Sequence, residues 1–290
     1  MSWFFFAFLC ALFLSAATIL EKRVLAKVHS IDFAIASAVL NLLFSIPFLF
    51  LVDFSDLSPI VVAFIFCSAF LAAVSFLLVA KGMRHLEVSV VSPLLSLSPG
   101  TTSVLAFLLL GERLGAIQIG GVVCMIVGSY VLTMQPQKGI LEPLALFFRS
   151  QYVKFILFSL LFYSFGAIVD RVIFTELNAT IPVYMLVFHI SVAILYIPIA
   201  YAFGGSIGGT LGAFRKGGSD LIFASLFTVG YRYFQMEALR LAAVGLVSAV
   251  KRSSSFFTTI IGGELLHEKE IGKKVFASSI IILGAVLIAL

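Results

Sequence analysis

Apolar residues run along this chain in blocks of about twenty, separated by short polar clusters. Ten such blocks cover roughly 3–22, 32–52, 58–79, 88–110, 115–134, 153–174, 182–203, 220–238, 244–263 and 271–290. The breaks are Asp53 to Pro59, Gly111-Glu112-Arg113, Gln135 to Pro143, Gly204 to Gly218 and His267 to Lys274. A helix needs about 20 apolar residues to cross a bilayer. Barrel strands would alternate in segments of about 10 residues. The pattern therefore predicts ten transmembrane helices and an all-α integral membrane protein.

Composition points the same way. The 290 residues are 61% hydrophobic and 11% charged, with 31 Phe, whereas a soluble domain is about a quarter charged. Lipid is the solvent such a surface requires. The net charge of +5 is no sign of nucleic acid, because the basic residues sit at segment ends or inside segments. Phe4 to Leu14 followed by Ser15-Ala16-Ala17 imitates a signal peptide but lacks the basic start, so it reads as an uncleaved first helix. Cys10, Cys67 and Cys124 lie in separate apolar stretches without paired spacing, which signals neither a disulfide framework nor a metal site. They read as lipid-facing or core residues.

The two halves repeat. An ungapped offset of 156 residues pairs Arg84 with Arg240, Val88 with Val244, Val91 with Val247 and Ser92 with Ser248. It also pairs Ser98 with Ser254, Glu112 with Glu268 and Gly128 with Gly284. The expected organisation is a five-helix repeat over 1–134, a connecting loop over 135–152 and a second repeat over 153–290. Five is odd, so the second copy enters from the opposite side. That makes an inverted repeat, an architecture common among secondary transporters with a substrate site near the midplane.

Val91-Ser92-Pro93-Leu94, then Leu109 to Leu114 and Gly121 to Gly128, resembles the signature of EamA-type transporters in the drug/metabolite transporter superfamily. Val247 to Arg252, His267-Glu268 and Gly284 resemble the same motif in the second half. The resemblance covers essentially the whole chain. It implies ten helices, export or exchange of small metabolites, and a structural role for Gly111, Glu112 and Glu268 at the link between the fourth and fifth helices of each repeat. Orientation divides the two arguments. The odd-numbered loops hold thirteen Lys and Arg and the even-numbered loops two, which puts the odd loops in the cytoplasm and both termini outside. The resemblance implies both termini in the cytoplasm.

Charges within apolar helices are costly and normally face a cavity or a partner. Arg171, Arg232, Lys251 and Arg252 are of this kind. One reading has Lys251 and Arg252 bind an anionic or zwitterionic substrate group, assisted by Arg171 or Arg232; adjacent helical residues point about 100° apart, so at most one of the pair faces the pore squarely. The other reading is an ion-pair lattice, Asp170 with Lys251 and Glu237 with Arg232. Further candidates for substrate contact are Asp170, Tyr233, His189, Asn41, Ser92 and Ser248. Tyr231 and Tyr233 flank Arg232, while Tyr163 and Tyr184 are alternatives that equally suit interface anchoring. Glu21 or Asp170 could carry a coupled proton, although Glu21 can instead partner the Lys22 neighbourhood. Pro93, Pro99 and Gly100 mark a hinge in the fourth helix; the ninth lacks both prolines, so the halves should differ in flexibility.

No nucleotide-binding motif is present, so ATP is not the direct driver. The four His fall in no metal motif, which argues against a membrane-embedded enzyme. The expected function is a secondary active transporter of a small polar metabolite, anionic or amino-acid-like, in the cell membrane, with no cofactor. Its partners would be substrate and membrane lipid. A lipid-translocating or channel-like protein is the alternative.

Overall fold

The computed structural model describes residues 2–53, 57–95, 97–110, 115–133, 150–202, 204–242, 244–266 and 271–289. Gly111, Glu112 and Glu268 lie outside these residues, as do the side chains of Ser92, Pro93 and Pro99. Among the described residues all regular structure is helical. The elements are α1 Trp3–Leu25, α2 Ser30–Ser45 with a 3-10 turn Ile46–Leu51, α3 Pro59–His85, α4 Val88–Leu95, α5 Ser98–Leu110 and α6 Ala116–Thr133. They continue with α7 Gln151–Thr175, α8 Ile181–Ala202, α9 Ile207–Leu241, α10 Val244–Lys251, α11 Ser254–Phe257, a π-turn Thr258–Gly262, α12 Gly263–Leu265 and α13 Ile271–Ala289.

Five of these are long and apolar enough to cross a membrane: α1, α2 with its 3-10 turn, α3, α7 and α8. Shorter apolar stretches cover Gly100–Leu109 and Ala116–Gly128. Rows of Phe face outward, including Phe4, Phe8, Phe66, Phe70 and Phe158, as a lipid-facing surface requires. The cysteines are free; Cys10 is buried and Cys67 exposed.

Serines start the helices. Ser58, Ser150 and Ser206 each accept a hydrogen bond on Oγ from the backbone N–H three residues on, at Val61, Val153 and Gly209. Each satisfies one of the donors that a helix leaves orphaned at its start. At Ser206 this cap changes the expected picture. The polar stretch 204–218 reads as a loop, yet α9 begins at Ile207 and runs on through Gly218, whose φ of 49° takes up the bend. Glycine tolerates that left-handed conformation without steric cost.

Packing between the halves is reciprocal. α1 packs on α9 and α3 on α7, α2 packs on α8, α6 packs on α13, and α4 and α5 meet the segment from α10 to the π-turn. The last long pair touches through glycine. A Cβ on Gly284 would stand 2.6 Å from the Gly121 carbonyl and 2.9 Å from the Met125 nitrogen; one on Gly128 would stand 3.0 Å from the Ala277 carbonyl. Small residues let helix backbones approach this closely in lipid. Backbone cannot yield as a side-chain tip does, so Gly284→Ala is expected to destabilise the protein by roughly 1–3 kcal/mol, read as a lowered melting midpoint in detergent.

Both helices expected to run unbroken over 88–110 and 244–263 tighten midway, at corresponding places. Leu97 N–H bonds the Leu94 carbonyl and Ser253 N–H bonds the Val250 carbonyl, each a three-residue span. The offset is again 156, which also relates α4 to α10 and the start of α5 to the start of α11. Proline is therefore not what places this feature. Pro93 falls inside α4 and Pro99 inside α5, whereas the second half has no proline there and tightens equally. Beyond this point the halves differ: α5 runs on to Leu110, whereas α11 gives way at Thr258 to the π-turn.

Candidate functional site

The tightening between α10 and α11 sets the site. On a regular helix Lys251 and Arg252 would diverge by about 100°. Lys251 ends α10 and Arg252 lies in the turn, and both line one cavity of about 120 Å³. The expectation that only one of the two faces the pore is thus corrected. Both are almost fully buried, at 3% and 7% exposure. The cavity wall also includes Thr18 and Glu21 of α1, Ser75 and Phe76 of α3, Tyr163 of α7, and Tyr231 and Arg232 of α9.

The partners of the two cations are neutral. Lys251 Nζ donates to Tyr163 Oη at 2.9 Å and to Gln235 Oε1 at 2.5 Å. Its ammonium also lies 5.0 Å and 4.9 Å from the ring centroids of Tyr163 and Tyr231. Arg252 Nε donates to Ser98 Oγ at 2.6 Å, with its guanidinium 4.8 Å from the Tyr163 ring. Aromatic faces and neutral acceptors stabilise a buried cation without cancelling its charge. No carboxylate lies within ion-pair distance of Lys251 or Arg252 among the described residues.

The third cation is neutralised. Arg232 Nη1 stands 3.7 Å from Asp170 Oδ2, and its guanidinium is 4.1 Å from the Phe188 ring centroid. Asp170 Oδ1 accepts from Ser68 Oγ at 2.5 Å and from Tyr184 Oη at 2.7 Å. The expected lattice of Asp170 with Lys251 and Glu237 with Arg232 is therefore wrong in both pairs, since Glu237 pairs instead with Arg240 at 3.3 Å. Partners are chosen by which side chains meet across helices, which charge spacing along one chain does not encode.

Other candidates disperse. Arg171 is not at the cavity: its Nη1 donates to the carbonyls of Leu239 and Ala242 at the end of α9. Lys22 does the same for α3, donating to the carbonyls of Met83 and Leu86. Those acceptors again differ by 156. Basic groups at a helix C-terminus satisfy orphaned carbonyls and meet the negative end of the dipole. Arg171→Met should lower the melting midpoint by several degrees and leave ligand affinity unchanged. Since Lys22 turns to α3, Glu21 does not partner its neighbourhood; Glu21 faces the cavity and accepts from Thr228 Oγ1 at 3.3 Å.

Tyr233 also leaves the site. It donates to Glu237 and stacks on Phe48 in a separate vestibule with Asp53 and Arg240; its neighbour Tyr231 lines the cavity instead. Residues two apart on a helix point about 200° apart, so the two tyrosines cannot share a face. His189 and Asn41 meet in a side cavity that shares Arg232 with the main one. Ser248 is buried, its carbonyl accepting from Arg252 N–H. Gly100 lies against Val122 of α6. Gln235, Ser68 and Ser98 were not foreseen. Gln235 had a signal: it stands four residues after Tyr231, on the same helix face.

Residues 1–134 match the model of the EamA-like transporter family. Beyond the matched residues the chain continues with long apolar helices, as a multi-pass membrane protein requires. A solved crystal structure is similar in fold to this chain, with a TM-score of 0.69 at 14% identity over 98% of this chain and 95% of that one. No curated protein matches.

Proposed function

We propose that the protein is a secondary active transporter of a small anionic or zwitterionic metabolite, working as an exporter or exchanger by alternating access. The observation that carries this is the pair Lys251 and Arg252, buried in a cavity and held by neutral groups. A desolvated site with uncancelled positive charge attracts an anion strongly. Arg gives a planar fork for a carboxylate or phosphate.

The architecture supports the same reading. The recurrent 156-residue offset and the reciprocal packing of α1 on α9 and α3 on α7 fit ten spans built as two inverted five-helix units, 1–134 and 153–290, around the cavity. We place the protein in the cell membrane, with the odd-numbered, Lys- and Arg-rich loops in the cytoplasm. Asp170 is committed to Arg232, Ser68 and Tyr184, so Glu21 is the carboxylate in a position to couple a proton. In proteoliposomes the uptake rate is expected to follow an imposed pH gradient, and Glu21→Gln to remove that dependence; a rate indifferent to the gradient in the unaltered protein would end the coupling role.

One observation favours lipid translocation as a second reading. An apolar groove of about 530 Å³ lies between α2, α8 and α9, lined by residues such as Ile35, Ile194 and Leu211. It carries no charged side chain, and Arg232, Lys251 and Arg252 line the other cavity instead.

The test is a thermal-shift panel of amino acids, organic anions, sugars and phosphates, run beside a Lys251→Ala/Arg252→Ala variant. A ligand of the folded state raises the melting temperature as ln(1 + [L]/Kd). Stabilisation by one anionic or zwitterionic class, lost in the variant, is the expected result. No hit, or a hit indifferent to the variant, returns the two cations to a structural role and favours the lipid reading.

A further inference from the structure

Beside the cationic cavity lies a second void of about 50 Å³, walled by Asn41 of α2, His189 and Tyr196 of α8, and Thr228, Tyr231 and Arg232 of α9. The Asn41 side chain is nine-tenths buried, at 9% exposure, and its Oδ1 has no hydrogen-bond partner among the described residues. A buried amide left without partners is costly and is rarely retained without a use. An amide can turn about its last torsion and present either its carbonyl or its N–H₂.

His189 faces the same void from the other helix and is 3% exposed. Its Nδ1 lies 2.7 Å from the Met185 carbonyl. A carbonyl oxygen only accepts, so Nδ1 carries the proton and Nε2 of the neutral ring is an acceptor. No described residue donates to Nε2. The void therefore holds an uncommitted acceptor and an uncommitted amide.

The void and the cationic cavity share Ala72, Phe76, Tyr231 and Arg232 as wall, so one small molecule can reach into both. No carboxylate is among the residues that line the void, so it offers an ammonium group no counter-charge. The space accommodates a small polar group, since about 10–15 Å³ open to a water-sized probe is enough to hold one water.

We propose that Asn41 and His189 form a specificity subsite for a neutral group that both donates and accepts hydrogen bonds, a hydroxyl or a carboxamide, on a substrate whose anionic group sits at Lys251 and Arg252. This rests on the anion-transport reading and narrows it to hydroxylated or amide-bearing anions. The hydroxyl donates to His189 Nε2 and accepts from the Asn41 amide.

The experiment compares matched acids on the full-length protein in detergent: lactate against propionate, malate against succinate, and asparagine against 2-aminobutyrate. Affinity is read by thermal shift over a concentration series. The unaltered protein is expected to bind the hydroxyl- or amide-bearing member about 5- to 10-fold more tightly. Asn41→Leu and His189→Phe should each bring that ratio close to one. Equal binding within each pair, or a preference that survives both variants, overturns the subsite while leaving the anion site standing. Failure of every acid to bind overturns the anion reading and, with it, this ligand class. The ligand-free melting midpoint gives an independent readout: Asn41→Leu should hold or raise it, since no partner is lost, and a fall of several degrees would make Asn41 a packing residue and overturn the proposal.

Discussion

Lys251→Met yields a protein that folds and no longer transports. The expectation follows from the partners of the ammonium. Removing one member of a buried ion pair strands the other charge, but Lys251 has only Tyr163 Oη and Gln235 Oε1 to leave behind. Two unpaired neutral groups cost about 1–3 kcal/mol each. Against that, the variant no longer has to desolvate an ammonium, which itself costs several kcal/mol. The melting midpoint in the absence of ligand is therefore expected to stay within a few degrees of the parent. Affinity behaves differently. Truncating one side of a buried, charge-assisted contact costs roughly 2–5 kcal/mol, about 30-fold or more in Kd. Uptake into proteoliposomes under saturating conditions for the parent should fall close to background. A midpoint that collapses, or a Kd that does not move, would show that Lys251 holds helices together and does not meet substrate.

Asp170→Asn shows the opposite pattern. It removes the carboxylate 3.7 Å from Arg232 and leaves that guanidinium buried beside Phe188 with no ionic partner. Breaking a buried pair from one side costs roughly 3–5 kcal/mol. In a protein of this size that is a midpoint lower by on the order of 10 °C. Asp170→Leu with Arg232→Met removes both charges together and should recover most of the loss, because a buried pair replaced by apolar residues of similar volume is often close to neutral. A double variant as unstable as the single one would mean that Ser68 and Tyr184, not the ion pair, carry the stability at Asp170.

These contrasting outcomes also show what could be read from the chain. Five of the ten apolar blocks return as helices long enough to cross a membrane, legible because one solvent, lipid, acts on every residue of a span alike. Lys251, Arg252 and Arg232 were legible because a charge in such a block has few reasons to be there. Most of their partners were not, since Lys251 meets Tyr163, Arg252 meets Ser98 and Arg232 meets Asp170 across more than sixty positions of sequence, and Asp170 had several cations within reach of a guess. Arg171 misled for the same reason: its charge is exceptional in sequence, yet two backbone carbonyls, which no side-chain pattern reveals, account for it. The start of α9 at Ile207 was hidden by glycines that usually signal a loop. The 156-residue offset fared best. It was drawn from identical residues, and it recurs in the helix bounds, the midway tightening and the acceptors of Lys22 and Arg171.

One guanidinium partitions the interior. Arg232 forms part of the wall of the cationic cavity, of the void at Asn41 and His189, and of a small gap beside Asp170 and Gln235. Ala72 of α3 is wall to the same three compartments. A substitution at Asp170 that displaces the guanidinium therefore alters the walls of all three compartments at once, so stability and ligand selectivity cannot be tuned independently at this position.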